Sequence, residues 1–478
     1  MARLTLLALA LAFWLPHARA AAPLAEPDAF RFGADLRARY EYYNRNAGYD
    51  GDRGFEDGHE GYFRFRTRVW GEATVGNLTG HLRLGNEFRH YFTPKAAKGR
   101  KRFPDELFVD NLWVRASDLW GIMDVTLGRQ DITDLGAGRI FGEGTPADGS
   151  RSCFYDAARV TFHLSQKRTL DLIALTISHH DWLPTPGHTH GGRGPGSKGY
   201  EYDYTMANQR EFGLAAYYQD RHNAALGWDA YYVWKAERGA HSTLLALEEG
   251  DPDSFHTCTL GFRLLPRFTE HLSGELEAAL QVGDESLHWA PRNYTPLPIP
   301  GVWPRQSRNH LFAGMGYAGL TYAFAEAPWE PKLTAAVYAL SGDSDGTRGG
   351  HAWHSVFNRQ TFLGDVPGSM FPGLDHNNLI YPHLALKATP GEGQSLALQC
   401  GPMFAPVRER DAYGRAGSLR GLYAQLVWQA DLGKVLDERF EGLAFTFLGE
   451  AMRKGDYFTE GAQDNLGVYL CWELTYTF

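Results

Sequence analysis

Beyond its first twenty residues the chain has no apolar run long enough to cross a bilayer as a helix, which takes roughly 20 residues. Helical spans are excluded on that count. Cysteine is sparse: Cys153, Cys258, Cys400 and Cys471 are scattered through 478 residues without C-x-x-C spacing, so no disulfide framework is encoded and at most one bridge is expected. Lysine is sparse too, at 10 residues against 37 arginines. Basic excess is absent, and a net charge of −9 argues against a nucleic-acid partner. There is no internal repeat and no low-complexity linker, so one domain is expected after the leader.

That leader is visible at the N-terminus. Arg3 precedes an apolar run from Leu4 to Leu15, and Ala18-Arg19-Ala20 supplies a small-x-small cleavage site. Residues 1–20 therefore read as a secretory signal peptide and residues 21–478 as the mature domain. No cysteine follows the run, so no lipoprotein anchor is expected. The first strand starts about ten residues later, which leaves no room for an N-terminal plug and disfavours a plugged transporter. The rest of the composition, with 54 glycines, 14% aromatics and an ordinary 44% hydrophobic content, suits a β-barrel with one face on lipid and the other on water.

Alternation carries the fold. At the C-terminus, Leu466, Val468, Leu470, Trp472, Leu474, Tyr476 and Phe478 form an apolar face, while Gly467, Tyr469, Cys471, Glu473, Thr475 and Thr477 form the other. A period of two puts each set on one side of a strand. Near the start, Phe32, Ala34, Leu36, Ala38, Tyr40 and Tyr42 oppose Arg31, Asp35, Arg37, Arg39 and Glu41. Comparable segments predict eighteen strands, separated alternately by long connections and short turns such as Gly76-Asn77, Ser117-Asp118 and Asp220-Arg221-His222. Short periplasmic turns and long external loops define a closed antiparallel transmembrane β-barrel, an all-β fold whose last strand must pair with its first.

Lining charges set a pore's selectivity. Strands one to three would project Arg31, Arg37, Arg39, Arg64, Arg66, Arg68, Arg83 and Arg89 into the lumen, with Arg129, Arg159 and Arg263 as further candidates. Arginine stays charged and grips carboxylates with a planar fork, so such a track suits an anionic sugar. The interleaved Asp35, Glu41, Glu72 and Glu87 leave a second reading open, in which acids and arginines satisfy each other across neighbouring strands.

Several pieces, in this order and spacing, are similar to the alginate-export porin family: Leu107-Phe108-Val109-Asp110-Asn111-Leu112-Trp113-Val114, Gly128-Arg129-Gln130, Asp148-Gly149-Ser150-Arg151 and Asp156-Ala157-Ala158-Arg159. Arg66-Thr67-Arg68, Tyr338-Ala339-Leu340-Ser341-Gly342-Asp343 and the closing Glu473 to Phe478 agree. The resemblance spans nearly the whole mature chain. It implies an eighteen-stranded monomeric barrel whose electropositive constriction passes an acidic polysaccharide, with Arg129, Arg151 and Arg159 at or near that constriction and Asp156 orienting them. The family's long gating loop between the third-last and second-last strands is replaced here by about Leu432 to Glu438, which implies a more open, porin-like channel.

Other chemistry is weaker. His179, His180, His188 and His190 lie in a Gly- and Pro-rich connection without companion carboxylates, so no metal site is expected. An outer-membrane hydrolase would need more than His354-Ser355, and no G-x-S-x-G is present. The expectation is a non-catalytic, cofactor-free outer-membrane channel in contact with lipid and lipopolysaccharide, passing polyuronate or another acidic sugar. The alternative is a general or small-molecule porin with no polysaccharide role.

Overall fold

In the computed structural model, residues 29–44, 60–91, 107–142, 155–177, 183, 210–239, 253–288, 306–343, 349–357, 364, 366–367, 377–408, 417–457 and 466–478 are described. The proposed leader, Cys153, Arg151 and the histidine-rich connection lie outside them, as does the side chain of Arg89.

Eighteen strands build the barrel. They are β1 (Ala29–Tyr43), β2 (Glu60–Val75), β3 (Leu78–Tyr91), β4 (Phe108–Leu119), β5 (Met123–Gln130), β6 (Tyr155–Ser165), β7 (Arg168–Ile177), β8 (Arg210–Asn223) and β9 (Leu226–Gly239). The second half is β10 (Asp253–Pro266), β11 (Leu272–His288), β12 (Gln306–Ala323), β13 (Lys332–Leu340), β14 (Leu379–Ala388), β15 (Gln394–Phe404), β16 (Leu419–Asp431), β17 (Leu443–Lys454) and β18 (Leu466–Thr477). Each pairs antiparallel with its sequence neighbours, and β1 also pairs with β18, so the sheet closes. A two-residue strand, Gly349–Gly350, adds to β12 in parallel inside one of the long connections.

The seam follows from the sequence pattern. Asp35 stands opposite Thr477 and Tyr43 opposite Tyr469. Backbone bonds between Ala34 and Phe478 run in both directions, at 2.9 and 3.1 Å. Asn44 finishes the other end, its Oδ1 accepting from the Val468 N–H at 2.7 Å and its Nδ2 donating to the Leu466 carbonyl at 2.9 Å. Every backbone donor left open here would face hydrocarbon at a cost of several kcal/mol, so closure is obligatory.

Alternation sorts the two faces as anticipated. Leu466, Leu470, Tyr476 and Phe478 are exposed on the outside of β18, whereas Tyr469 and Cys471 are buried on the inside. Outside the seam, Tyr40, Phe63 and Trp472 form an aromatic cluster with ring centroids 5.4 to 6.1 Å apart. The inner face is packed rather than empty, with Tyr217, Tyr231, Val233, Tyr381 and Tyr423 all at most 2% exposed. Cys258, Cys400 and Cys471 are free thiols.

Two turns differ from the expected ones. Strand β8 continues through Asp220-Arg221-His222, where its pairing with β9 shifts register and the Asp220 carboxylate accepts from the His222 N–H at 2.7 Å, and turns at residues 224–225. Strand β4 likewise runs past Ser117-Asp118 to Leu119. The left-handed residues Trp120 and Gly121, with φ of 53° and 73°, make that turn. The connection after β16 holds a short helix, Leu432–Val435, and a 3₁₀ turn, Glu438–Phe440.

Leu280 is 54% exposed at mid-strand on the outer face. Leu280→Arg is expected to lower barrel stability in detergent or lipid by about 2–4 kcal/mol, read from urea unfolding. Thr446→Arg on the inner face is expected to be tolerated. Equal tolerance at both sites would contradict the assignment of faces.

Candidate functional site

The inner wall formed by β18 and β1–β4 carries most of the arginines expected in the lumen, but each meets carboxylates. Arg37 contacts Glu87 at 3.2 Å and Glu473 at 3.7 Å, and Arg39 contacts Glu473 at 2.6 Å and Glu41 at 3.7 Å. Arg64 completes this cluster, reaching Glu41 at 3.2 Å and Glu87 at 3.7 Å. A second cluster adjoins it. Asp35 holds Arg66 at 3.4 Å and Arg68 at 2.7 Å, while Asp110 holds Arg68 at 3.8 Å and Arg83 at 2.5 Å, and Asp131 takes Arg83 at 2.9 Å. Each cluster thus sets three guanidiniums against three carboxylates. These arginines lie on the inner face, and each meets carboxylates of its own or neighbouring strands. Arg31 stands apart at the rim, 71% exposed and paired with Glu72.

A third matched cluster lies on β8–β11. Arg221 and Arg263 reach Asp229 at 2.6 and 3.5 Å, and Arg263 holds Glu275 at 2.8 Å. Its third guanidinium, Arg139, comes from the connection after β5, bonding Glu277 at 2.8 Å and pairing with Glu275. Arg139 also lies over the Tyr317 ring, 4.0 Å from its centroid.

Residues 131–142 therefore lie inside the barrel. Asp131 is fixed to Arg83, Asp134 takes both terminal nitrogens of Arg159 at 2.8 and 2.7 Å, and Arg139 is fixed to the β11 wall. Between and just beyond these anchors Ile132, Leu135, Ile140 and Phe141 are buried. Burying this apolar stretch favours the inward path, since the same residues in water would gain nothing.

A second inward segment meets the first. In the connection after β13, Gly349–Gly350 pairs with β12, and Gln281 of β11 clamps His354 by both its N–H and its carbonyl, at 3.0 and 2.8 Å. Lys235 donates to the Ser355 carbonyl at 3.0 Å. Phe357 then bridges to the first segment. Its N–H donates to the Ile140 carbonyl, its carbonyl accepts from Gly142, and its ring stacks on Phe141 at 6.0 Å. Tyr155 caps the junction, donating to the Phe357 carbonyl at 2.7 Å. Further along, Val366 N–H donates to Glu450 on β17 at 2.8 Å, and Glu450 continues through Gln425 to Gln399. These segments make a constriction, and the sequence reading missed them. The available signal was the apolar spacing Ile132, Leu135, Ile140, Phe141 within a connection otherwise treated as solvent-facing.

Arg159 is lumenal, held by Asp134 and by Asp171 at 2.8 Å. Arg129 and Asp156 do bond each other, at 2.9 Å, but they pair across the face that carries Leu112 and Leu127. The lumenal row at that height is Trp113, Gly128 and Ala157. Arg129 is buried, with Nη1 donating to the Val109 carbonyl at 2.8 Å. His354 and Ser355 are held by Gln281, Lys235 and a close ring contact of 4.1 Å between Phe255 and His354, which gives both a structural role.

No family model and no curated protein matches the sequence. Solved structures do match the fold. A BenF-like porin from Pseudomonas fluorescens Pf-5 superposes with a TM-score of 0.54 at 10% identity, covering 94% of this chain and 99% of that one. OccAB4 of Acinetobacter baumannii gives 0.53 at 8% identity over 95% and 100%. OccD3 (OpdP) of Pseudomonas aeruginosa gives 0.52 at 10% identity over 96% and 93%. The chain has the fold of the outer-membrane porins, and the bacterial outer membrane is the address that goes with it. The resemblance to alginate exporters holds at the level of this barrel class.

Arg139→Ala would take the guanidinium from the buried Glu277 and leave Glu275 with Arg263, a loss of about 3–5 kcal/mol for breaking such a buried pair. Residues 131–142 should then release from the β11 wall, raising single-channel conductance and its noise. Unchanged conductance in a folded barrel would show that other contacts hold the constriction.

Proposed function

We propose that this chain is an outer-membrane channel for small polar solutes, with size selection by the two inward segments and little preference for the sign of charge. The observation that carries this reading is the charge matching of three clusters on the walls. In each of three lumenal clusters the described guanidiniums and carboxylates are equal in number. Selectivity follows lining charge, and a matched wall offers an ion of either sign as much repulsion as attraction. A polyuronate track needs guanidiniums that exchange one solute carboxylate for the next, and these would first have to give up protein carboxylates already in contact. The porin fold supports the same choice. Within this reading Arg37, Arg39, Arg64, Arg66, Arg68, Arg83 and Arg159 shape and rigidify the pore, with transient hydrogen bonding to solute as a further role. The barrel acts as a monomer among lipid and lipopolysaccharide, and no reaction step is assigned to it.

Reversal potentials in a planar bilayer under a KCl gradient test this. The wild-type channel is expected to discriminate weakly between potassium and chloride. Glu473→Gln leaves three guanidiniums with two carboxylates in its cluster, so the reversal potential should move towards that of chloride. Strong anion selectivity in the wild type, unaltered by that substitution, would count against charge matching.

A further inference from the structure

One group of inward side chains is left over by this account. Trp70 of β2, His81 of β3 and Trp113 of β4 lie side by side on the inner face, between the second arginine cluster and the turns at residues 76–77 and 120–122. Their rings are nearly parallel, with centroids 6.0 Å apart at 20° between Trp70 and His81, and 5.0 Å apart at 8° between His81 and Trp113. Both indoles are only half-buried. Such large apolar rings, left partly open to a water-filled lumen, keep a face or edge available for a solute.

Glycines border the row at each end. Gly33 stands opposite Trp70 on β1, and a Cβ there would fall 2.8 Å from the indole and 2.7 Å from the Phe478 carbonyl, so only glycine leaves room for the ring. Gly128 stands opposite Trp113 on β5 with φ of 121°, where a Cβ would collide with the Leu112 carbonyl. No bulky side chain from β1 or β5 is therefore inserted against the row at these positions.

The margins are polar and charge-matched. Towards the middle of the barrel stand Arg68, Arg83 and Asp110, with Arg83 2.5 Å from Asp110. Towards the turns, Glu72 pairs with Arg31 and lies 3.4 Å from His81, and Arg115 pairs with Asp124. Donors and acceptors thus stand on both sides of an aromatic strip.

We propose that Trp70, His81 and Trp113 form a stacking site for a neutral pyranose ring at the periplasmic end of the channel. The proposal rests on the channel reading above and gives that channel a solute class. A pyranose presents a face of C–H bonds that packs on an indole, whose face is the negative side of its quadrupole. Its equatorial hydroxyls both donate and accept, so they can use guanidiniums and carboxylates alike. A uronate or an aromatic acid gains little from its carboxylate here, because the guanidiniums on each margin are already held by protein carboxylates. One stacking contact is weak enough for release, as conduction requires.

The test is current block in planar bilayers by maltotriose added on the periplasmic side, with trigalacturonate as the acidic comparison. Each half-blocking concentration is normalised to the open conductance of the same variant. Maltotriose should interrupt the wild-type current at millimolar concentration. Trp113→Leu and Trp70→Leu should each raise its half-blocking concentration about tenfold, the scale of one aromatic contact, and Trp113→Phe should restore part of the loss. Maltotriose block unaffected by both leucine variants, or block by trigalacturonate with none by maltotriose, would overturn the site. Wild-type protein that inserts without conducting would overturn the channel reading itself, and the site with it.

Discussion

Hydrocarbon cannot hydrogen-bond a free sheet edge, and the structure is organised by that constraint. The last strand has to find the first, and once β18 pairs with β1 every other feature is placed relative to a closed wall. Closure makes alternation meaningful, because an even-numbered residue of β18 is then outside and an odd-numbered one inside. It also brings Glu473 to Arg37 and Arg39, residues more than 430 positions away in the chain. The seam is therefore held twice: by backbone bonds in the wall and by an ion cluster on its inner surface.

That inner surface shows how a barrel carries many buried charges. A lone buried guanidinium or carboxylate is costly, whereas clusters of three against three satisfy one another across neighbouring strands. Arg139 extends the same device to a connection, making residues 131–142 part of the wall on the far side. The charge matching and the constriction are linked, since Asp131 and Arg139, two of the three anchors of the first inward segment, are members of the clusters.

Much of the fold was legible in the sequence because strand period and the alternation of connection length are local signals. The eighteen strands, the seam and the lumenal position of Arg37, Arg39, Arg64, Arg66, Arg68 and Arg83 all follow from parity. Parity reads less simply at Arg129, which is buried although Leu127 two residues before it is exposed, because the left-handed Gly128 lies between them. The inward segments were hidden for a different reason. Their anchors pair residues such as Arg139 and Glu277, 138 positions apart, and no periodicity reports on contacts at that range. The turn after β8 falls later than expected, beyond a register shift between Asp220 and Asn223 that composition does not report.

The central claim is that a size-limited, charge-matched pore passes small polar solutes of either sign. Liposome swelling tests it most directly, using neutral, cationic and anionic solutes of similar mass. The account predicts comparable initial rates for the three classes and a steep fall as solute mass rises. Rapid entry of the anionic solutes alone, with the neutral and cationic ones excluded at the same mass, would contradict it.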